Sequence, residues 1–299
     1  MRYKKVKKIL MLWCLFIGIG ALFGSICMFI KPDGRLLHMK NILSYFEVLP
    51  FSDVLFKNYI FSGIMLLLVN GITNITAFCL ILKNKKIGII LGMIFGITLM
   101  LWIFIQFIIL PTNVLSISYF IFGFIEFLTG LITLIFYKQE QFNFNINDYY
   151  INKSSNTLVV YFSRMGYTKK VAYDIANSKN ANILEITTTE KILGTLGFWW
   201  CGRYGMHKWR MNINKINENL KKYDKVIIVS PIWVFDLSSP VREFCYKYKG
   251  DINSYDLVLT HFMKSIFLNV KENVCKIIGK PCQNFVSISV RYGKIRDER

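Results

Sequence analysis

The chain has 299 residues, 54% of them hydrophobic, with a mean hydropathy of +0.39 and a net charge of +19. The apolar share exceeds the about 45–50% of an ordinary soluble domain, so part of the chain belongs in lipid, and the length fits about two domains. No recognition helix or basic-aromatic repeat accompanies the positive charge, which argues against nucleic acid, and the seven Cys show neither CxxC nor Cys/His ligand spacing, which argues against a zinc site or disulfide framework.

Long charge-free runs are confined to the first half. Segments 9–30, 58–82, 87–110 and 115–137 each reach the roughly 20 helical residues needed to cross a hydrocarbon core of about 30 Å, so residues 1–137 read as a four-span transmembrane domain. The first run resembles a secretory signal in following Lys4, Lys5, Lys7 and Lys8. It is longer than an ordinary signal core, however, and Ile26 stands where a small residue would precede a cut. Arg2 with those four lysines, and the turn at Lys83, Lys85 and Lys86, place both segments in the cytoplasm by the positive-inside rule, while the uncharged turn 111–113 faces outward. Four spans then return the chain to the cytoplasm. In the outer loop 31–57 the apolar spacing predicts a short interfacial helix.

Glu126 lies near the middle of the fourth span, where an ionisable group is expensive and often functional. Asn70, Asn74 and Gln106 are placed to meet it by interhelical hydrogen bonds; the group is either polar glue or a proton or quinone site. His38, His207 and His261 all lie outside the spans, so a bis-His haem relay is excluded.

Residues 138–156 form an Asn-rich polar linker, and residues 157–299 change character. The run 157–162 is a continuous β-branched stretch expected of a strand buried on both faces. A loop with hydroxyls and a glycine follows, then a helix over 169–177. Further strands are expected at 183–187, 225–230, 257–261 and 284–290, with helices at 213–222, 240–248 and 266–279. This alternation predicts a doubly wound parallel sheet. The chain stops soon after the fifth strand, leaving a terminal helix short or missing.

Hydroxyls and free backbone N–H groups at a helix N-terminus suit a phosphate, and neither GxGxxG after the strand nor GxxxxGK[ST] occurs. The stretch 160–168, Val-Tyr-Phe-Ser-Arg-Met-Gly-Tyr-Thr, resembles the phosphate-binding signature of the flavodoxin family, Ser/Thr-x-Ser/Thr-Gly-x-Thr. Met165 replaces the middle hydroxyl, and Arg164 supplies a charge that can offset it. A second stretch, 227–244, is similar to the third-strand loop of the same family, where an aromatic commonly stacks on the flavin ring. The resemblance covers about 157–295 and implies a flavodoxin-like fold of strand order 2-1-3-4-5 with FMN as cofactor. It implies contacts from Ser163, Arg164, Met165, Gly166, Tyr167 and Thr168, from Ser230, Pro231, Ile232, Trp233 and Val234, and from Thr260 and His261 in the less typical fourth-strand loop. In doubly wound sheets the ligand lies beyond the carboxyl ends of the strands, which puts the first two loops together.

Segment 194–210 carries four glycines and five aromatics among basic residues. It reads equally as a lid over the flavin, a contact with lipid headgroups or a local packed loop. The resemblance thus implies a membrane-tethered electron carrier or flavin-dependent reductase whose basic domain prefers the bilayer, a quinone or an acidic protein, with the particular donor and acceptor left open. The other reading is a domain without flavin that serves as an interaction or sensor module. A transporter half with a regulatory domain rests on Glu126 alone.

Overall fold

The computed structural model describes residues 2–151 and 154–298, which divide into two compact units, Met1–Gln141 and Phe142–Arg299. The first unit contains α1 (Arg2–Ile30), α2 (Ile60–Leu82), α3 (Lys86–Ile109) and α4 (Val114–Glu140), each long and apolar enough to cross a membrane. Small residues let these helices approach. A Cβ on Gly96 would lie 2.6 Å from the Phe127 backbone nitrogen, and one on Gly130 would lie 2.7 Å from the Met93 Cβ. This is the close small-residue packing that replaces the hydrophobic drive in lipid.

Glu126 is fully buried, and its Oε1 accepts from the Cys14 thiol at 3.2 Å. The expected meeting with Asn70, Asn74 and Gln106 is not what forms. Asn74 Nδ2 instead donates to the Asn70 carbonyl at 3.0 Å within α2, beside a π-helical turn at Leu67–Ile72. Gln106 lines a separate cavity of about 280 Å³ with Met28, Phe46, Tyr59 and Trp102. The loop 31–57 beside that cavity forms 3₁₀ turns at Arg35–Leu37 and Lys40–Val48 and one helical turn at Ser52–Leu55.

The second unit holds β1 (Thr157–Tyr161), α5 (Tyr167–Ser178), β2 (Asn182–Glu185), α6 (Gly194–Met206), β3 (Lys225–Trp233), β4 (Asp236–Leu237), α7 (Ser239–Tyr248), β5 (Tyr255–His261), α8 (Leu268–Ile278), β6 (Phe285–Arg291) and β7 (Lys294–Glu298). The sheet runs β2-β1-β3-β5-β6-β7, with β4 hairpinned onto β3. Its five parallel strands keep the flavodoxin-like order 2-1-3-4-5 when counted alone. The sheet departs from that pattern in β7, which adds an antiparallel edge to β6, and in the two-residue β4.

Both faces are covered. On one, Val241 and Phe244 of α7 and Val270 and Val274 of α8 pack on Leu158, Val160, Ile228 and Leu257. On the other, Val171, Ala172 and Ala176 of α5 pack on Val159, Ile227, Val229 and Val290. Among the described residues α5 is the one helix on this second face, and Phe144, Tyr149 and Ile151 complete it. Tyr149 donates to Asp174 at 2.8 Å, anchoring that segment to α5.

The helix expected at 213–222 does not form. Asn214 binds Thr187 through both its backbone and its side chain, and only a 3₁₀ turn at Leu220–Lys222 remains among the described residues of this stretch, N-capped by Asn219 Oδ1. The helix lies earlier, at α6, where glycines permit close packing; a Cβ on Gly197 would meet the Ile192 carbonyl carbon at 2.4 Å.

We expect Gly96→Leu to overpack the α3–α4 contact and lower stability by about 1–3 kcal/mol. Gly202→Ala meets nothing within 4 Å and should raise helix stability by about 1 kcal/mol. Thermal unfolding of the detergent-solubilised chain distinguishes the two.

Candidate functional site

Register brings the sequence-selected loops to one end of the sheet. Tyr161 pairs with Val229, Pro231 with Thr260, and His261 with Ser289, so the chain leaves β1, β3 and β5 at a common carboxyl edge. The β1 loop turns through Gly166 at φ +88°, a conformation glycine adopts without strain. Gly166 donates its N–H to Ser163 Oγ at 3.1 Å and stands at the N-cap of α5, where no side chain caps the helix. The orphan N–H groups of the first turn therefore lack a side-chain cap at this mouth.

Two side chains of this loop turn elsewhere. Arg164 donates Nε to the Ile192 carbonyl at 2.7 Å and Nη2 to the Gly194 carbonyl at 2.8 Å, with its guanidinium over the Phe198 ring. It ties the loop to the start of α6. Thr168 is buried, and its hydroxyl pairs with that of Thr260 at 2.8 Å, directly joining α5 to the end of β5. Met165 is exposed. Tyr167 packs against Phe142, Phe262 and Tyr292, and burial, followed by the neighbouring Tyr292, pushes its hydroxyl up to about 12.

The β3 loop forms the opposite wall. Ser230 is buried and bonds the Ser238 hydroxyl at 2.9 Å. Ile232 and Trp233 pair with Leu237 and Asp236, leaving Val234 and Phe235 as a two-residue turn at φ +46° and +63°. Such hairpin turns favour Asn and Gly, and a β-branched residue there is strained by about 1–3 kcal/mol. The buried ion pair between Arg242 and Asp236, at 3.2 Å, and the Asp236 bond to the Leu237 N–H hold the hairpin. Trp233 meets Phe162 edge to face at 5.4 Å, and α6 lies close enough that a Cβ on Gly205 would be 3.1 Å from the Trp233 Cβ.

His261 faces inward. Its Nδ1 bonds the Met263 carbonyl at 2.5 Å and its Nε2 the Ser287 hydroxyl at 2.8 Å. A carbonyl can only accept, so Nδ1 carries a proton. Burial holds the imidazole below the usual histidine range despite the Met263 bond. Its place is to fix the loop after β5.

The sequence reading missed Phe142 and Gly293. A Cβ on Gly166 would lie 3.0 Å from the Phe142 ring, and one on Gly293 would lie 2.1 Å from it. Residues 142–145 alternate Phe and Asn, the period of a strand-like segment with one apolar face, which was the available signal.

No protein-family description and no curated protein matches the chain. Among solved structures it is similar to a flavoprotein in complex with FMN from Lactobacillus acidophilus, at 17% identity over 45% of this chain and 93% of that one, TM-score 0.38. A protein described as a flavoprotein from Bacteroides eggerthii matches at 22% identity over 46% and 91%, TM-score 0.40. A flavodoxin, WrbA-like protein from Agrobacterium tumefaciens matches at 17% identity over 43% and 76%, TM-score 0.29. The fold itself is defined by the strand order and register of this chain.

Replacing Arg242 with Met leaves the Asp236 carboxylate buried without its main partner and should cost about 3 kcal/mol, read as a lower unfolding midpoint of the full chain. His261 is held neutral in the fold, so the unfolded state binds the extra proton first. Stability should fall as pH drops below about 6.5. His261→Asn should lose that part of the slope, measured as the difference between the two pH profiles.

Proposed function

We propose that the second unit binds FMN at the carboxyl edge of its sheet and, tethered by four transmembrane helices, passes electrons between a reductant and an acceptor at the membrane surface. The carrying observation is the convergence of three loops around an uncapped helix N-terminus whose preceding residue is a left-handed glycine. Backbone N–H groups of Met165, Tyr167 and Thr168 with the Ser163 hydroxyl would hold the phosphate. Trp233 with Val234 would form the wall for the ring, and Thr260 and the chain to Met263 would border its edge. FMN would supply the redox step, and the protein binding, orientation and exclusion of water. With the Lys and Arg distribution of the short loops, this reading places the N-terminus and the second unit in the cytoplasm.

The acceptor is proposed from the face beside the site. Leu196 is 85% exposed, Trp199 70% and Phe198 59% on α6, and Phe235 on the neighbouring turn is 63% exposed. Arg203 stacks on Trp200 and Trp209 within this face. Exposed aromatics rimmed by cations suit a bilayer surface, and hence a lipid-dissolved acceptor such as a quinone, or an acidic protein.

One observation favours a second reading, an interaction module without flavin: Arg164 donates Nε and Nη2 to the Ile192 and Gly194 carbonyls, and the Thr168 hydroxyl is paired with that of Thr260.

Titrating FMN into the detergent-solubilised full chain tests the proposal. Saturable binding, weakened about tenfold by Trp233→Ala through loss of ring contact and abolished by Gly166→Val through backbone strain, supports it. An absence of binding by the folded wild-type chain sinks it in favour of the interaction module.

A further inference from the structure

The cavity in the first unit, of about 280 Å³, lies where α1 ends, α2 begins and α3 ends, at the end of the bundle remote from the turn 83–86. Its volume is close to the lower limit for small-molecule sites, about 300 Å³. The loop 31–57 supplies one wall through Met39, Phe46 and Leu49, and Phe56 continues it. That wall is firmly seated. Phe46 stacks on Phe56 at 4.9 Å, Phe56 meets Phe61 edge to face at 5.3 Å, and the Tyr59 hydroxyl donates to the Met39 carbonyl at 2.6 Å.

No charged side chain lines the cavity. Phe46, Phe56, Phe61 and Trp102 offer rings, and three Met side chains can adapt to what lies between them. With the Tyr59 hydroxyl engaged, Ser62 and Gln106 are the polar side chains that remain. Hydroxyls elsewhere in the spans donate one turn back in their own helix, Ser25 to the Ala21 carbonyl at 2.7 Å and Ser118 to the Val114 carbonyl at 2.8 Å. Ser62 stands in the first turn of α2, where the carbonyl four residues earlier belongs to Asn58, outside the helix. Its Oγ is buried with no hydrogen-bond partner among the described residues. Ile105 lines the same cavity and is 53% exposed on the outer surface of α3, so one side chain separates the cavity from the surroundings of the bundle on that flank.

We propose that this cavity binds an uncharged, membrane-dissolved molecule with a flat, carbonyl-bearing ring, the chemistry of a quinone head group. An ionised ligand would be buried there without a counter-charge. A plain acyl chain carries no acceptor and would leave the Ser62 hydroxyl unpaired. A ring with two carbonyl oxygens meets both demands: one accepts from Ser62, the other from the Gln106 carboxamide, and the ring lies among the aromatic side chains. A tail leaves past Ile105. The site is built wholly from the first unit and does not rest on the flavin reading.

The test uses the full chain in lipid nanodiscs without FMN. The probe is an azido-benzoquinone bearing one isoprene unit, photolysed over a concentration series and located by protease digestion and mass spectrometry. We expect saturable labelling of the cavity wall, displaced by unlabelled ubiquinone-1 and not by decanol at the same concentration. Ser62→Ala should raise the half-saturating concentration about fivefold, the effect of one net hydrogen bond. Its ligand-free unfolding midpoint should equal or exceed that of the wild type, because the unpaired hydroxyl is gone. Ile105→Trp, which fills the cavity from its outer flank, should abolish the labelling. The proposal is overturned if the folded wild-type chain shows no saturable labelling, or if only the second unit is labelled. Equal displacement by decanol would make this an acyl-chain site and overturn it too, as would an unchanged half-saturation in Ser62→Ala. Failure of the FMN titration leaves each of these outcomes as it stands.

Discussion

The Arg242 guanidinium reaches the Asp236 carboxylate at 3.2 Å with side-chain exposures of 7% and 4%. Taking two charges out of water costs several kcal/mol per ion unless the geometry repays it. Here the pair spans the start of α7 and the first residue after a strained turn, and Asp236 also accepts from the Leu237 N–H. The hairpin so fixed carries Trp233 on one side and the exposed Val234 and Phe235 on the other. Without it, nothing in the local preferences of Val or Phe would hold two successive residues in the left-handed region.

The same logic runs through the polar side chains around the mouth. Ser230 bonds Ser238, and Thr168 bonds Thr260. Each pair satisfies two buried hydroxyls and also joins an element to its neighbour, so the three loops are positioned together. A site made this way is rigid on its inner side. Its outer side, by contrast, is built of exposed rings on α6 and the hairpin tip.

Phe142 shows how tertiary packing changes the meaning of a segment. The chain after α4 looks like a polar spacer, with Asn at every second position. In the fold, Phe142 lies over Gly166 and Gly293, while Phe144 and Tyr149 pack on Tyr173 of α5. A sheet face with one helix would leave apolar surface in water, and this segment buries it at the cost of ordering only a short stretch of chain.

What the sequence determined by itself was whatever depends on local pattern. Continuous apolar runs identify the four helices long enough to cross a membrane and the parallel strands, because a hydrocarbon core's thickness and two-sided burial each impose their own composition. Gly166 and Ser163 were legible for the same reason: a tight strand-to-helix turn uses the left-handed glycine and the Ser163 hydroxyl locally. Partner choice was decided only by the tertiary structure. Arg164 binds two carbonyls nearly thirty residues downstream, and Glu126 bonds Cys14 more than a hundred residues upstream instead of the nearby-looking amides. Residues 194–206 become a helix that closes on the β3 hairpin, where a Cβ on Gly205 would lie 3.1 Å from the Trp233 Cβ, while Asn214 in the stretch 213–222 is bound to Thr187. Both partners are remote in sequence, and no local propensity encodes them.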